Sequence, residues 1–486
     1  MKTLKEILHG LKTEQVINER ELYVTGIVFD SRKVQEGSVF VAEKGEQTDG
    51  HLYISSAIDK GAKVVVFEDF SDKWEIKDDV TYIKVKSSSL ALGIMANNFY
   101  DNPTKKLRLI GITGTNGKTT TVTLLYKMFS SMGFPCGLVS TIENRIKEQV
   151  LPTERTTPDA VTLSSLFAKM VEEGCEYAFM EVSSHAVVQN RIAGLHFFGA
   201  IFSNITLDHL DYHKTFANYI KAKKKFFDDL SSKSFALTNL DDKNGSVMIQ
   251  NTKAKKYSYS LSSASSDFKA AVLEDSFEGL HLKLDNKEIF SPMIGRFNVY
   301  NLLAVYSAAV LCGIDKERVL ISLSALTPAR GRFECYRIST GAVAVIDYAH
   351  TPDALENVLT TINEINKFRG QKVFCIVGCG GDRDKTKRPI MGEIGQRLSD
   401  TLILTSDNPR TEDPNQILED MKQGLKKDKS GKVHFCITDR AEAIKLACTL
   451  AKKDDIILVA GKGHEDYQEI NHVKHHFDDR EEILKY

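Results

Sequence analysis

Residues 111–121 read GITGTNGKTTT, and the rest of the chain is organised around this stretch. It continues an apolar run that begins at Leu107, and it is followed by Val122–Met132, whose apolar residues recur at helical spacing. A strand that turns through glycines into a helix can bind phosphate, because the backbone approaches an anion closely and the helix N-terminus points its N–H groups at it. Lys118 adds a positive charge, and Thr119 adds a hydroxyl that can bind magnesium.

The stretch departs from the strict P-loop pattern, which would require glycine in place of Ile112. An ordinary glycine-rich turn between a strand and a helix is therefore the alternative interpretation. Gly-Lys-Thr directly after a buried strand favours the phosphate loop, and we expect the chain to bind a nucleoside triphosphate.

The length of 486 residues exceeds what one compact core usually organises, and it predicts two to four domains. Apolar residues make up 42% of the chain and charged residues 27%, as in soluble globular proteins. The net charge is −1, so no overall field favours nucleic acid or an anionic membrane, and we expect neither as a partner. Eight cysteines without a Cys-x-x-Cys pair indicate reduced thiols rather than a disulfide framework or a zinc site.

The first ten residues, MKTLKEILHG, contain no apolar stretch long enough for a signal peptide. No later segment reaches the length of a membrane span. These observations predict a cytoplasmic enzyme, and we expect it to be a monomer.

Residues 1–105 alternate short predicted strands with short predicted helices. Their polar residues concentrate in the stretch FDSRKVQEGSVFVAEKGEQTDGH, residues 29–51. Such residues can hold the uracil, ribose and phosphates of a nucleotide sugar, or they can simply form turns, and spacing alone favours turns. Asn102-Pro103-Thr104 predicts a linker at the end of this region.

Residues 106–333 contain the phosphate loop and a second candidate feature at a strand end. The predicted strand Tyr177–Val182 carries Glu181 near its carboxyl end. A lone glutamate there is more often structural, but beside a phosphate loop it is a typical magnesium ligand. His209 and His213 flank acidic residues further along the chain, and their spacing fits no zinc pattern.

The helix predicted after these histidines carries a run of lysines at Lys221, Lys223, Lys224 and Lys225. They can form a solvated basic face. Alternatively, one of them is buried near the metal site, where flanking positive charge lowers its pKa and leaves a neutral amine. Such an amine can take up carbon dioxide and become a carbamate, which binds magnesium as a carboxylate does. The residues alone leave both interpretations open.

Residues 256–290 alternate in the manner of antiparallel strands, and residues 296–311 predict a helix. Residues 334–486 then repeat strand and helix in the manner of a doubly wound sheet. The turns after their predicted strands are polar or glycine-rich, among them DYAHTPDA, GCGGDRDKTKRP, SDNPRTEDP and GKGHEDYQ. Ligands of such sheets bind at the carboxyl ends of strands, where these turns lie. GCGGDR has the wrong spacing for a dinucleotide fingerprint, which argues against a nicotinamide cofactor.

The motifs of the chain occur in the order GTNGKTT, TTPD, EVSSHAVVQNR, DHLDYH, FNVYN, GRFE, DYAHTPDAL, GGDRDKTKRP, DNPRTEDP and GKGHEDYQ. In this order they strongly resemble the Mur ligases of peptidoglycan synthesis. The resemblance implies an α/β protein with three domains. These would be a UDP-sugar-binding domain at 1–105, a central P-loop ATPase with a mostly parallel sheet and added antiparallel strands at 106–333, and a Rossmann-like doubly wound domain for the amino acid at 334–486.

The resemblance also implies an activity. An ATP-dependent ligase of this kind would add meso-2,6-diaminopimelate to the D-glutamate γ-carboxylate of UDP-MurNAc-L-Ala-D-Glu through an acyl phosphate, with Mg²⁺ bound. Addition of L-lysine or ornithine, and a related ligase such as a folylpolyglutamate synthase, are the alternatives within the same class. A nucleotide-gated binding or motor protein is the alternative from another class, and it would hydrolyse ATP without forming an amide.

The residues that match the family motifs define each implied site. The UDP-sugar would be bound by Phe29, Ser31, Glu46, Gln47, Thr48, Thr156, Thr157, Ser183, Gln189 and Arg191. ATP would be bound by Gly114, Thr115, Asn116, Gly117, Lys118, Thr119, Thr120, Asn301, Arg332 and Asp347. Magnesium would be bound by Thr119, Glu181, His209 and Lys223, the last as its carbamate. Diaminopimelate would be bound by Arg383, Asp407, Asn408, Pro409, Arg410, Gly461 and Glu465. The implied catalytic residues are Lys118, Glu181, His209 and Lys223.

The choice of amino acid would rest on Arg410. Diaminopimelate differs from lysine by a carboxylate on its distal carbon, which a guanidinium can bind bidentately. A lysine substrate offers no anion there, and we expect it to leave the arginine unpaired at a desolvation cost. His350 and Glu465 are candidates for a general base, and the sequence assigns the role to neither.

Overall fold

The computed structural model describes residues 1–45, 48–70, 75–153, 155–208, 210–367, 370–426 and 432–486. The chain forms two compact units. Unit 1 comprises Met1–Asp267 and Ser307–Ile314, and unit 2 comprises Phe268–Tyr306 and Asp315–Tyr486. The three-domain division with boundaries at 105/106 and 333/334 stays a prediction.

The secondary structure alternates strands and helices along the chain, as predicted for an α/β protein. The strands of unit 1 are β1 (Lys2–Thr3), β2 (Gln15–Ile17), β3 (Tyr23–Val24), β4 (Gly26–Val28), β5 (Ser38–Val41), β6 (Val64–Phe67), β7 (Thr81–Lys84), β8 (Arg108–Thr113), β9 (Cys136–Val139), β10 (Asn144–Ile146), β11 (Gln149–Leu151), β12 (Tyr177–Glu181), β13 (Gly199–Phe202), β14 (Phe235–Asn239) and β15 (Lys255–Ser260). The strands of unit 2 are β16 (Phe268–Ser276), β17 (Gly279–Leu284), β18 (Lys287–Ser291), β19 (Glu334–Arg337), β20 (Val343–Asp347), β21 (Val373–Val377), β22 (Thr401–Leu404), β23 (Val433–Cys436), β24 (Ile456–Ala460), β25 (Tyr467–Ile470) and β26 (Val473–His476).

The helices follow in the same order. They are α1 (Leu4–Ile7), α2 (Ile54–Asp59), α3 (Ser88–Phe99), α4 (Lys118–Ser131), α5 (Ala160–Glu172), α6 (Ser184–Val188), α7 (Leu210–His213), α8 (Phe216–Asp228), α9 (Gly245–Met248), α10 (Arg296–Leu311), α11 (Lys316–Ser324), α12 (Pro352–Asn366), α13 (Lys387–Leu398), α14 (Pro414–Lys422), α15 (Arg440–Leu450) and α16 (Asp479–Ile483). Short 3-10 helices cover Ser31–Lys33, Gly50–Tyr53 and Pro103–Lys105.

The main sheet of unit 1 has the strand order β11-β10-β9-β12-β8-β13-β14-β15. From β9 to β15 the neighbours run parallel, and β10 and β11 are antiparallel additions at one edge. Strands β9, β12 and β13 are buried along their whole length, because helices cover both faces of a parallel sheet. The carboxyl ends of β8, β12 and β13 share one edge, so the segments that follow them meet there.

A five-stranded sheet at the N-terminus has the order β2-β7-β6-β5-β4 and is parallel except for β2. Helix α3 beside this sheet packs closely on the segment after α6. A Cβ at Gly93 would lie 2.7 Å from the Cβ of Ala193, and Asn97 Nδ2 donates to Gly194 O at 2.7 Å. These contacts tie the N-terminal sheet to the rest of unit 1.

Two predicted features of connection can be compared with the structure. The predicted linker at 102–104 leads into the 3-10 helix Pro103–Lys105, in which Thr104 is buried and its hydroxyl accepts from His196 N at 2.9 Å, and its role as a linker stays a prediction. The antiparallel strands predicted within 256–290 are present as β16, β17 and β18, whereas β15 pairs in parallel with β14, contrary to the prediction. Alternation and an Asn-Pro step are local signals, whereas strand direction and burial depend on distant partners.

Unit 2 contains the antiparallel meander β16-β17-β18 and a six-stranded sheet. That sheet has the order β19-β20-β24-β21-β22-β23 and is parallel except for β19. One apolar cluster includes residues of α12, α13 and α14, and another includes residues of α15 and α16. Each cluster takes alternate residues of the same strands, so the sheet is covered on both faces and the predicted doubly wound pattern is confirmed.

All eight cysteines are free thiols, as predicted. Among the residues that the structure describes, no helix is long and apolar enough to cross a membrane.

Glu43 follows β5, and the burial of its carboxyl makes the stability of the folded state depend on pH. Burial raises the pKa of its carboxyl from 4.5 to about 7, Asp159 adds to the rise, and Arg191 opposes it. The folded state therefore retains a proton that the unfolded state loses, and stability falls as pH rises from about 4.5 to about 7. We expect Glu43→Gln to raise the free energy of unfolding above pH 7 by up to about 3 kcal/mol and to change it little near pH 4.

Urea unfolding of Glu43→Gln at pH 4.5 and pH 8 measures this difference. Glu148→Gln is the matched control, because Glu148 is exposed and its substitution removes the same charge. Equal effects of Glu43→Gln at both pH values would contradict the prediction.

Candidate functional site

The phosphate loop of unit 1 connects β8 to α4. Gly117 has a φ of +84° at the start of the helix, a backbone conformation that suits glycine. Gly114 has no room for a side chain, because a Cβ would lie 1.9 Å from Ser203 Oγ. Asn204 holds the loop from the end of β13: its backbone O accepts from Thr115 N at 2.8 Å, and its Oδ1 accepts from Asn116 N at 2.9 Å.

Lys118 is the first residue of α4, and its side chain folds back over the loop. Its Nζ donates to Gly114 O at 3.0 Å and to Thr115 O at 2.8 Å. Thr119 and Thr120 follow in the first turn of the helix and are buried. The structure therefore brings the predicted residues Gly114–Thr120 into one loop with a cation over it.

Lys223 is the lysine of its run that is buried, with 1% of its surface exposed, whereas Lys221 and Lys225 are exposed. Its Nζ donates to Gly114 O at 2.8 Å and lies 4.7 Å from the centre of the Tyr219 ring. Burial lowers the pKa of Lys223 well below its usual value, the charge of Lys118 lowers it further, and Asp208 acts in the opposite direction. This environment favours the neutral amine, the form that reacts with carbon dioxide.

Glu181 ends β12 and is almost fully buried. Thr141 N donates to Glu181 Oε1 at 2.7 Å, and the Thr141 hydroxyl lies 3.0 Å from the same oxygen. Among the described residues, Oε2 accepts no hydrogen bond, which suits a carboxylate that can face a cation. The described residues contain no group of three His, Cys, Asp or Glu that could hold a metal. His209, the remaining ligand of the predicted set, lies outside them.

The predicted UDP-sugar residues of the central region converge beside Glu181. The Thr157 hydroxyl donates to Glu181 O at 2.8 Å and accepts from Ser183 N at 3.1 Å. Arg191 Nη1 donates to Thr157 O at 2.8 Å, and Arg191 Nε donates to Gln189 Oε1 at 2.9 Å. The Thr156 hydroxyl lies 3.0 Å from that of Thr141. These residues therefore form one connected polar cluster.

Three predicted UDP-sugar residues of the N-terminal region lie outside its strands. Phe29 is 37% exposed just after β4, and Ser31 begins a 3-10 helix. The Thr48 hydroxyl lies 3.3 Å from Tyr53 OH. Glu46 and Gln47 lie outside the described residues, so their roles stay predictions.

The candidate amino-acid site of unit 2 is built from the loop after β22 and the segment after β24. Asn408 Nδ2 donates to Glu465 Oε2 at 2.8 Å, and Gln468 Nε2 donates to Asp407 O at 2.7 Å. Gly461 has a φ of +116°, and a Cβ there would lie 2.9 Å from Asp407 Oδ2. The structure therefore brings Asp407, Asn408 and Glu465 together, and the close approach requires glycine at 461.

Arg410 has partners of its own within unit 2. Its Nε donates to Glu469 Oε2 at 3.2 Å, and its Nη1 donates to Gly381 O at 2.8 Å. The expectation that a lysine substrate would leave this arginine unpaired is therefore wrong, because Glu469 already neutralises it. Selection of diaminopimelate over lysine therefore has to come from the interaction that the distal carboxylate of diaminopimelate makes with Arg410. Pro409 precedes Arg410 in the same loop, and Arg383 is exposed in the loop after β21.

Arg332 and Asp347, predicted to contact ATP, lie close together in unit 2. Burial raises the pKa of Asp347 to about 6, while Arg332 opposes the rise. Asp347 Oδ2 accepts from Phe333 N at 2.7 Å, and the Arg332 guanidinium lies 4.7 Å from the centre of the Tyr348 ring. Asn301, also predicted for ATP, is buried in α10, where its Nδ2 donates to Asn298 Oδ1.

The two candidates for a general base have different surroundings. His350 Nδ1 lies 2.9 Å from Tyr348 O, and His350 is exposed. Burial and the nearby Asp407 raise the pKa of Glu465. These contacts do not assign the role of general base to either residue.

Sequence reasoning missed the residues that hold the candidate binding residues and loops in place through hydrogen bonds. Thr141 holds Glu181, Asn204 holds the phosphate loop, and Gln468 and Glu469 hold the 407–410 loop. Thr141 and Asn204 each lie two residues beyond a strand, β9 and β13 respectively, at the edge where the phosphate loop lies. The rule that polar turns at the carboxyl ends of parallel strands bind ligands could have found both.

Comparison with known proteins identifies related families and chains. The Mur ligase family catalytic domain matches residues 23–100, the Mur ligase middle domain matches 112–309, and the Mur ligase glutamate ligase domain matches 331–463. A protein of Phocaeicola vulgatus named UDP-N-acetylmuramoyl-L-alanyl-D-glutamate–2,6-diaminopimelate ligase is 55% identical over 478 residues, 98% of each chain. A protein of the same name from Bacteroides fragilis is 54% identical over 482 residues, 99% of this chain and 98% of its own. A solved structure of an enzyme with that name has a TM-score of 0.70 and 35% identity, covering 99% of this chain and 98% of its own.

Proposed function

This chain belongs to the Mur ligase family and is an ATP-dependent ligase, and we propose that it joins meso-2,6-diaminopimelate to the D-glutamate γ-carboxylate of UDP-MurNAc-L-Ala-D-Glu. The observation that carries the proposal is the convergence of Lys118 and the buried Lys223 on the carbonyl of Gly114. A phosphate loop with one ammonium over it and a second, buried amine that can form a carbamate suits transfer of a phosphoryl group. The names of the relatives reported above supply the substrates.

Amide formation from a carboxylate is unfavourable in water, so the acid is first activated. The γ-carboxylate attacks the γ-phosphorus of ATP, the bond to the bridging oxygen breaks, and ADP leaves as the acyl phosphate forms. Two anions meet in this step, and Lys118 reduces their repulsion from its position over the loop. The neutral amine of the incoming amino acid then attacks the acyl carbon, the bond from that carbon to the phosphate oxygen breaks, and phosphate leaves while the nitrogen loses one proton to solvent.

Thr119, Glu181, His209 and a carbamate on Lys223 would hold magnesium in this proposal. The proposed ligands that the structure describes fit magnesium. Glu181 offers a carboxylate oxygen, and the environment of Lys223 favours the amine that forms a carbamate. Bound magnesium would neutralise charge on the phosphoryl oxygens. Carbamate formation joins the Lys223 nitrogen to the carbon of CO₂ and releases one proton.

The remaining parts of the proposal concern the surroundings of the reaction. The residue sets predicted for the UDP-sugar, ATP and diaminopimelate are proposed to bind those ligands, and residues 1–105, 106–333 and 334–486 are proposed as the domains. A cytoplasmic enzyme is proposed because its proposed substrates, a nucleotide-linked sugar peptide and ATP, are cytoplasmic compounds. A monomer is proposed as well. Addition of L-lysine or another diamino acid is the second candidate within the same chemistry.

An amino-acid panel tests the function directly. The purified chain is given UDP-MurNAc-L-Ala-D-Glu, ATP and Mg²⁺ with meso-diaminopimelate, L-lysine or L-ornithine in turn, and the UDP-linked product is identified by mass. We expect a tripeptide product and release of ADP with diaminopimelate. ADP release with no amide product in any arm would contradict the ligase proposal, and a product with lysine alone would establish the second candidate.

Arg410→Ala should lower kcat/KM for diaminopimelate by about 10- to 150-fold, which corresponds to the loss of a charged hydrogen bond of about 1.5–3 kcal/mol. The effect arises because the guanidinium that would bind the distal carboxylate is gone and Glu469 then repels that carboxylate. Competition between diaminopimelate and L-lysine measures the change in selectivity. Arg397→Ala is the matched control, since Arg397 is a partly exposed arginine paired with Glu356 and Glu393. Unchanged selectivity of Arg410→Ala would remove this basis for substrate choice.

A further inference from the structure

Lys462, which the sequence comparison with the family motifs did not assign to any ligand, lies at the base of the candidate amino-acid site. Its side chain has no exposed surface. Its Nζ donates to Asn408 Oδ1 at 3.1 Å and lies 3.5 Å from both Asp407 Oδ1 and Glu465 Oε2. One buried ammonium therefore contacts three of the residues proposed to bind the incoming amino acid.

The hydrogen bonds around Asn408 define the orientation of its amide. Oδ1 accepts from Lys462 Nζ and from Glu469 N, the latter at 2.9 Å. Nδ2 donates to Glu465 Oε2 at 2.8 Å. Because an ammonium has only donors, the oxygen of Asn408 has to face Lys462 and the NH₂ group has to face Glu465. Lys462 thus orients the amide, and the amide orients Glu465.

The charges of this cluster do not cancel. Asp407 and Glu465 are carboxylates, and Lys462 is the ammonium that contacts both, while Arg410 is paired separately with Glu469. The cluster therefore carries one net negative charge when both acids are ionised. An ammonium group of the substrate would neutralise that charge. Burial raises the pKa of Glu465, Asp407 raises it further, and Lys462 opposes both. Other titratable groups that interact with Asp407 or Glu465 are Tyr348, Cys379, Arg440 and Tyr467.

We infer that Lys462 is a positioning residue for the incoming diamino acid, which keeps the Asn408 amide oriented and the Asp407 and Glu465 carboxylates ready to receive one ammonium group. The inference rests on the proposed function, because it concerns the same amino-acid site. Lys462 acts through these neighbours and does not itself take part in the reaction.

The test compares Lys462→Met with Lys474→Met. Lys474 is the matched control, because it lies over the same Tyr467 ring at 4.0 Å but is exposed and outside the cluster. For each variant, KM is measured for diaminopimelate, ATP and UDP-MurNAc-L-Ala-D-Glu, and kcat/KM for diaminopimelate is measured against pH. Lys462→Gln is measured in parallel, since it keeps a polar group beside Asn408 if the methionine variant does not fold.

We expect Lys462→Met to raise KM for diaminopimelate about tenfold or more, with KM for the other two substrates unchanged. The acid limb of its pH profile should move to higher pH, because Glu465 loses the cation that lowers its pKa. Lys474→Met should match the wild type in both respects. Equal rises in all three KM values, or a wild-type acid limb, would overturn the inference in favour of a purely structural lysine. A wild-type chain that forms no amide would instead overturn the proposed function, and the inference with it.

Discussion

Lys223→Ala is expected to slow amide formation by about 10²–10³-fold, the usual effect of removing one electrostatic stabiliser from a reacting centre. The reason is the position of Lys223, whose buried amine contacts the phosphate loop at the carbonyl of Gly114. Alanine removes the amine on which the proposed carbamate would form. The rate is measured as UDP-linked product formed under saturating ATP and diaminopimelate.

Lys225→Ala is the control for this variant, because Lys225 is exposed on the same helix and pairs with Asp229. It should retain the wild-type rate. A carbon-13 NMR carbamate signal from wild-type protein in labelled bicarbonate, absent from Lys223→Ala, would give a readout that does not depend on activity. A fully active Lys223→Ala variant would contradict the carbamate role.

Lys118→Ala is expected to lower the rate by about 10³-fold, and acyl phosphate formation should be the step affected. Its ammonium bridges Gly114 O and Thr115 O over the loop, where the triphosphate would lie. Without it, the approach of the γ-carboxylate to the γ-phosphoryl group meets uncancelled repulsion. Single-turnover release of ADP, measured with and without diaminopimelate, separates this step from amide formation.

Lys127→Ala changes a lysine later on the same helix and should leave ADP release unchanged. Lys118→Ala should not respond to added bicarbonate, whereas the wild type depleted of carbon dioxide should recover when bicarbonate is restored. This difference distinguishes loss of the loop cation from loss of the carbamate. Wild-type ADP release by Lys118→Ala would contradict the role of the loop in phosphoryl transfer.

Much of the fold follows from local patterns in the sequence. The predicted helix at 296–311 is α10, with the same ends. The predicted strand Tyr177–Val182 is one residue longer than β12, which ends at Glu181. Apolar periodicity identifies an element, but its last residue depends on which neighbouring strand supplies a hydrogen bond.

Less of the candidate site than of the fold could be predicted from the sequence. The residues with functional groups were found because glycine-rich loops and strand-end polar turns are local signals. Thr141 and Lys462 also lie in strand-end turns, but their specific partners are not visible there, since each acts on a residue that lies far away along the chain. Glu469, the ion-pair partner of Arg410, was missed for the same reason. Because this pair exists, substrate selection cannot rest on the cost of leaving Arg410 unpaired.

By itself, the sequence determined the α/β class, the position of the phosphate loop and the set of polar turns, because periodicity and glycine placement act over a few residues. Only the tertiary structure decided which lysine of the 221–225 run is buried, how Asn408 is oriented and which carboxylate neutralises Arg410. Burial and pairing of charges depend on what the fold brings within a few ångströms, and residues that are distant in sequence provide those partners.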